Sequence, residues 1–272
     1  MVLVLGDTLL GKNSPRVKEL LRLGRRRHRE EEEKFIIEGP RLVAEALSAA
    51  WPLDAVYYVP EFRESGRGEE TFAAARKRGL ITYELPPGVL KRVTATEEPQ
   101  GVLAVARMQK TGLGDLLRIY PPLVIITDGV QDPGNLGTII RTAHAAGASG
   151  ALLLSGTVDL YNPKTIRATA GALFRLPVCQ GVDCKEALDF IRQADLKLVV
   201  SDTRGEVPLY KADLTGPAAI VIGGEGAGIS TPVGEAASLR VFIPMPGGSE
   251  SLNAAVAAAL LLYEAARQRQ YK

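Results

Sequence analysis

The chain has 272 residues, 46% of them hydrophobic, and a formal net charge of +2. That length allows one large or two ordinary domains, and that composition supports a buried core rather than disorder. A charge this small does not by itself mark a nucleic-acid binder, and no stretch reaches the roughly 18 apolar residues of a membrane-spanning helix.

In chain order, the first signals are mixed. Met1 to Gly11 lacks the basic flank and length of a secretory signal. Ser14-Pro15 starts a helix, with serine as cap and proline in the first turn, and Val17, Leu20, Leu21 and Leu23 give it an apolar stripe before it turns basic. Residues 34–38 read as a strand, 41–47 as a helix and 55–59 as a strand. The charged, glycine-containing stretch 62–70 reads as a loop. A helix over about 70–78 and strands at 80–84 and 101–106 complete an α/β unit of about 100 residues. Residues 109–122 contain two glycines and a Pro-Pro pair, a linker composition. Beyond it the apolar runs 123–126, 151–154, 198–200 and 219–222 alternate with helical patterns, which predicts a mostly parallel sheet covered on both faces. The expected domains are therefore 1–108, a linker 109–121, and 122–272.

Charge is spread unevenly. Residues 1–110 hold 19 Lys/Arg and 16 Asp/Glu, net +3, and residues 111–272 hold 14 and 15, net −1. A polyanion-binding face is expected in the first half. Two cysteines, Cys179 and Cys184, and two histidines, His28 and His144, stand in neither a zinc-ligand pattern nor a disulfide framework. The expectation is a metal-free protein of a reducing cytoplasm.

In parallel sheets, ligands bind in loops beyond the carboxyl ends of strands. Three such loops carry chemistry. Residues 128–143 run from a strand through Asp132-Pro-Gly into a helix that Asn135 could cap, with Arg141 among Ile139, Ile140 and Ala143. Arg141 is either one half of an ordinary ion pair or a cleft residue. Residues 219–230 place four glycines within six positions around Glu225, which favours a ligand loop over a plain turn. This is not G-x-G-x-x-G, because position 229 is isoleucine. Residues 241–256 end a strand in Pro-Met-Pro-Gly-Gly, after which Ser249 or Ser251 could cap a long helix. That helix is apolar nearly all round over 254–263, which implies burial in the core or a subunit seam.

Taken together, the three loops resemble the SpoU branch of the SPOUT RNA methyltransferases. The matching residues are Asn135-Leu-Gly-Thr-Ile-Ile-Arg141, Gly223-Gly-Glu-Gly-Ala-Gly228, and Ile243-Pro-Met245 with Ser251-Leu-Asn253, in the family's order and spacing. The resemblance covers about residues 122–270. It extends less specifically to Lys34-Phe-Ile-Ile-Glu-Gly39 and Pro99-Gln-Gly-Val102, which look like the family's substrate-binding domain, and to residues 161–168. There Thr169 stands where the family usually has serine. The resemblance implies an α/β fold with a C-terminal trefoil-knot domain, a smaller N-terminal α/β substrate-binding domain, and a homodimer. It implies S-adenosyl-L-methionine as cofactor, with Gly223, Ile243 and Leu252 as contacts and Gly228 and Met245 nearby. The reaction it implies is methyl transfer to an RNA ribose 2′-hydroxyl, with Arg141 at the hydroxyl and Asn135, Glu225, Ser251 and Asn253 shaping the site. A guanidinium hardly ever releases its proton, so Arg141 is either the family's hydroxyl activator or an electrostatic and positioning group. Ribosomal RNA is preferred to transfer RNA because of the separate N-terminal domain.

Between Arg16 and Arg29 there are seven Lys/Arg against Glu19 alone. Arg16, Arg22, Arg25, Arg26 and Arg27, with Arg167, are the candidate RNA contacts. The acidic run 30–33 leaves a solvated, self-paired helix end as the competing reading. Gly6-Asp-Thr-Leu-Leu-Gly-Lys-Asn13 imitates a P-loop but has Asn13 in place of the Mg²⁺-binding Ser/Thr. The alternatives to a methyltransferase are a non-catalytic RNA- or ribosome-binding module of the same fold and, less well, a dinucleotide enzyme.

Overall fold

Elements follow directly from caps and burial in the computed structural model, which describes residues 8–94 and 96–270. Gly6 and Asp7 of the P-loop look-alike lie outside the described residues. The chain divides into two units, Met1–Gln109 with Tyr161–Phe174, and Lys110–Leu160 with Arg175–Lys272.

The first unit begins with β1 (Thr8–Leu9), α1 (Pro15–Leu23), α2 (Arg26–Glu32), β2 (Lys34–Glu38), α3 (Pro40–Ser48) and β3 (Leu53–Tyr58). It continues with α4 (Pro60–Arg63), α5 (Gly66–Lys77), β4 (Ile81–Glu84), α6 (Val89–Val93) and β5 (Val102–Arg107). Ser14 caps α1 by accepting from the Val17 N–H at 3.4 Å, and Val17, Leu20 and Leu23 turn into the core. The sheet runs β1-β4-β3-β5-β2, with β5 antiparallel to both its neighbours. Residues 62–70, expected as a loop, are instead the end of α4 and the start of α5. Ser65 caps α5 by accepting from the Gly68 N–H at 3.1 Å. Gly68 lets the two short helices close on each other, since a Cβ there would lie 2.2 Å from the Phe62 carbonyl oxygen. Glycine marks close packing here rather than mobility.

The second unit opens with a 3-10 turn (Leu113–Leu117), then β6 (Leu123–Asp128), α7 (Pro133–Ala145) and β7 (Gly150–Leu154). The chain next contributes α8 (Pro163–Thr169), part of the segment Tyr161–Phe174 that packs with the first unit although the sequence boundaries place it within 122–272. There Tyr161 meets Phe35 with ring centroids 4.6 Å apart, and Phe174 meets Trp51 at 5.3 Å. The second unit resumes with β8 (Val178–Val182), α9 (Cys184–Gln193), β9 (Lys197–Ser201), β10 (Val207–Pro208) and β11 (Ala218–Gly223). It closes with α10 (Thr231–Glu235), β12 (Leu239–Phe242) and α11 (Ala254–Gln270).

Its seven strands lie in the order β10-β12-β9-β11-β6-β7-β8, and every pairing is parallel. The continuous apolar runs are therefore central strands buried on both faces, as their composition predicts. Because all strands point the same way, the loops after β6, β9, β11 and β12 open along one edge, on four adjacent strands. The stretch whose composition reads as linker is anchored to this unit. Leu116 is wholly buried and packs with Val124, Ile126 and Leu152. Leu116→Ala is expected to cost about 2–5 kcal/mol, measured by urea unfolding. A loss below about 1 kcal/mol would mean that this turn merely tethers.

Candidate active site

At the start of α7, Asp132 rather than Asn135 is the cap. Its Oδ1 accepts from the Asn135 N–H at 2.8 Å, with Pro133 in the first turn. Both residue types cap well, and proline at the first helical position fixes the choice one turn earlier. Asn135 is thereby released to act across the site. Its Nδ2 donates to Glu225 Oε1 in the glycine loop, and its Oδ1 accepts from Asn253 Nδ2 at 3.0 Å. Asn253 in turn caps α11, accepting from the N–H groups of Ala255 at 2.9 Å and Val256 at 3.3 Å. Neither Ser249 nor Ser251 holds that position. Three loops far apart in sequence are thus tied by one relay, Glu225–Asn135–Asn253.

The glycine loop is held from beneath by Asp128, the last residue of β6, which sequence reasoning passed over. The Asp128 carbonyl accepts from the Gly224 N–H at 2.9 Å, and its Oδ2 accepts from the Ser230 N–H at 2.7 Å. The loop then closes on itself, with the Gly228 N–H donating to the Gly224 carbonyl at 3.0 Å. A Cβ on Gly223 would lie 2.4 Å from the carbonyl carbon of Gly228, so only glycine fits there.

The glycine loop and the loops after β9 and β12 wall a cleft of about 870 Å³. Of the expected residues, Gly223, Glu225, Gly228, Ile243, Met245, Ser251, Leu252 and Asn253 all line it. Asn135 joins through its hydrogen bonds. Arg141 does not line it: it is exposed on α7, with no hydrogen bond or ion pair among the described residues. The expectation of an ion pair or a cleft position within the chain is not met. Residues 201–204, which follow β9, also line the cleft, as does Arg240. Arg240 donates to the Gly234 carbonyl at 2.6 Å and stands 3.6 Å from Asp202. The rule that ligands bind at strand ends applied equally to β9 and would have found this loop.

The cleft pairs apolar side chains of Ile243, Met245 and Leu252 with exposed backbone and a few polar groups, the usual make-up of a small-molecule site. Both cysteine thiols are held toward their neutral form. Burial raises the Cys179 thiol to about 11, and burial followed by the charge of Asp128 raises Cys184. Among the described residues no His/Cys/Asp/Glu group is arranged to hold a metal ion.

A second concavity of about 760 Å³ lies on the outer side of α7 and α11. The apolar helix α11 divides its faces. Ala258, Leu261, Leu262 and Ala265 are buried, whereas Val256, Leu260 and Tyr263 are 48%, 43% and 55% exposed. Asn135, Thr138 and Thr142 of α7 line the same groove; Arg141, three positions after Thr138 on the same helix, does not line it.

Of the basic residues in the first unit, Arg26 and Arg27 pair with Glu30 and Glu31, each at 2.7 Å. This is the self-paired arrangement weighed against RNA contact. Arg16 lies 4.5 Å above the Tyr83 ring, and Arg22 meets His28 at 3.4 Å. Arg25 is exposed, while Arg29 is buried and donates to the Leu23 and Gly24 carbonyls. Arg167 lies in the first unit beside Glu38.

Residues 122–263 match the SpoU rRNA Methylase family, and residues 14–104 match the MRM3-like substrate binding domain. The chain belongs to the SpoU rRNA methylase family. It is 33% identical over 248 residues to the 23S rRNA (guanosine(2553)-2'-O)-methyltransferase RlmP of Bacillus subtilis, covering 91% of this chain and 94% of that one. It is also 33% identical over 253 residues to the 23S rRNA (uridine(2479)-2'-O)-methyltransferase of Streptomyces viridochromogenes, covering 91% and 87%. An AdoMet-bound rRNA methyltransferase from Sinorhizobium meliloti superimposes with a TM-score of 0.85 at 32% identity, over 96% of this chain and 97% of that one. The α/β SPOUT class implied by the three loops, with a smaller N-terminal unit, is therefore this SpoU chain's fold.

Proposed function

We infer that this chain transfers the methyl group of S-adenosyl-L-methionine to a ribose 2′-hydroxyl of ribosomal RNA, as a cytoplasmic homodimer. The observation that carries this reading is that the second and third loop motifs wall one cleft, and the first is tied to both through the Glu225–Asn135–Asn253 relay. The relatives' 23S rRNA substrates favour ribosomal over transfer RNA. The intact motif residues argue against a non-catalytic module.

The cleft suits the cofactor on its own chemistry. Ile243, Met245 and Leu252 offer an apolar slot, and the glycine loop offers bare backbone where a side chain would intrude. When bound, S-adenosyl-L-methionine supplies an electrophilic sulfonium methyl. Gly223, Ile243 and Leu252 hold it, with Gly228 and Met245 alongside. Glu225, Asn135 and Asn253 keep the loops from separating, which fixes the distance between cofactor and acceptor. Ser251 presents a hydroxyl at the mouth. The acceptor needs its oxygen aligned on the methyl carbon, and its proton passes to solvent water as the new O–C bond forms. Arg141 remains cationic, so it binds phosphate and stabilises the developing alkoxide rather than taking the proton.

Arg141 stands apart from the cleft within one chain, and the apolar groove beside it supports the homodimer. An exposed patch of Val256, Leu260 and Tyr263 is the kind of surface that association covers. Covering it brings the second protomer to the stretch of α7 that holds Thr138, Arg141 and Thr142. Leu260→Glu is expected to halve the mass seen by sedimentation and to abolish turnover. A dimer unaffected by this change places the seam elsewhere.

The direct test is calorimetric titration with S-adenosylhomocysteine, with NAD as control. About one site per chain for the first and none for the second is expected. Binding of NAD alone would overturn the proposal.

A further inference from the structure

Three family-like stretches take no part in the cleft: residues 34–39, 99–102 and 161–168. Parts of all three border two small cavities in the first unit. Glu38, at the end of β2, has only 9% of its side chain exposed. Thr96 donates its hydroxyl to Glu38 Oε1, and Arg167 Nη1 stands 3.8 Å from Oε2. Glu38 and Arg167 border both cavities. One, of about 240 Å³, has apolar walls that include Ile36, Val93 and Tyr161, with Arg92 also lining it. The other, of about 200 Å³, is lined by Arg41, Leu42, Glu98 and Gln100 among others.

The two ends of β2 differ in their use. Lys34 is engaged in ordinary ion pairs with Glu19 at 3.0 Å and Asp54 at 2.9 Å. Glu38 is nearly buried, yet among the described residues its two oxygens, able to accept about four hydrogen bonds, have one hydroxyl and one distant guanidinium. Burying a carboxylate with so little compensation is costly. An apolar slot with an acceptor at its edge and arginines around it is the chemistry of a nucleotide site. The walls take a base face, the carboxylate takes a donor edge, and guanidiniums take phosphates.

We propose that Glu38 and Arg167 form a nucleotide-reading subsite, in which an unpaired guanosine of the RNA enters the apolar cavity. Glu38 accepts from the guanine N1–H and N2–H₂, while Arg41, Arg92 and Arg167 hold flanking phosphates. Guanine presents two adjacent donors to a two-oxygen acceptor. Uracil flanks its N–H with carbonyl oxygens, and adenine and cytosine set an acceptor beside their amino group. The subsite rests on RNA being the substrate, but it lies in the first unit and is separable from cofactor binding.

The test is fluorescence anisotropy of the full chain with a short oligouridylate and with versions carrying one central G, A or C. The guanosine version is expected to bind about tenfold tighter than the rest. Glu38→Gln, which keeps shape but replaces one acceptor with a donor, is expected to erase that preference. It should leave oligouridylate affinity and S-adenosylhomocysteine binding within about twofold of wild type, the latter reporting that the variant is folded. Equal binding of all four oligonucleotides, no binding of any, or a guanosine preference that survives Glu38→Gln would overturn the subsite. Loss of S-adenosylhomocysteine binding by the wild type would instead count against the proposed reaction.

Discussion

Arg141→Ala is expected to lower methyl-transfer turnover by about 10²–10³-fold while S-adenosylhomocysteine still binds with its normal affinity. The split follows from geometry. Arg141 is exposed on α7 and does not line the cleft, so the cofactor site does not depend on it. Its guanidinium also makes no hydrogen bond or ion pair among the described residues, so its removal leaves no buried partner exposed. A cation that acts only on charge developing at the acceptor oxygen shows itself in turnover, not in cofactor affinity. Single-turnover kinetics and calorimetry on one preparation separate the two. A variant that turns over normally removes Arg141 from the site.

Gly223→Leu is expected to do the opposite and abolish saturable S-adenosylhomocysteine binding, with turnover lost as a consequence. The first added carbon would lie 2.4 Å from the carbonyl carbon of Gly228 and 2.7 Å from the nitrogen of Ile229. Both neighbours are backbone, and both belong to the loop that lines the cleft. Rotamer change cannot relieve the clash, so the loop itself must move. The strain is expected to cost about 1–3 kcal/mol of stability as well, visible as a lowered melting temperature. Normal affinity in this variant would mean that the cofactor does not approach the glycine loop.

Much of this was legible in the sequence, for identifiable reasons. Strands buried on both faces are plain apolar runs, so β6, β7, β9 and β11 announce themselves and their parallel arrangement follows. Once the sheet is parallel, the loops after β6, β11 and β12 are marked as the place for chemistry. The helix starts were less legible. Asp132 and Asn135 are both good caps, as are Ser251 and Asn253, and only the three-dimensional relay decides between them. Composition misled at residues 62–70, because a glycine demanded by close packing looks the same in sequence as one that confers flexibility. The basic run from Arg16 to Arg29 shows a further limit. Its charges count toward a polyanion surface in sequence, yet Arg26 and Arg27 pair with glutamates and Arg29 is buried. The stretches that border the cavities around Glu38 resemble the family in sequence, but that they come together was not legible, because they lie far apart along the chain.

The most direct test of the chemistry is incubation of the protein with transcribed ribosomal RNA fragments and S-adenosylmethionine carrying a deuterated methyl group. The RNA is then digested to nucleosides for mass spectrometry. The expected product is a nucleoside labelled on the ribose, as a 2′-O-methyl group, formed about 10²–10³-fold more slowly when Arg141→Ala is used. Label on a base, or no label from protein that binds S-adenosylhomocysteine and these RNAs, would contradict it.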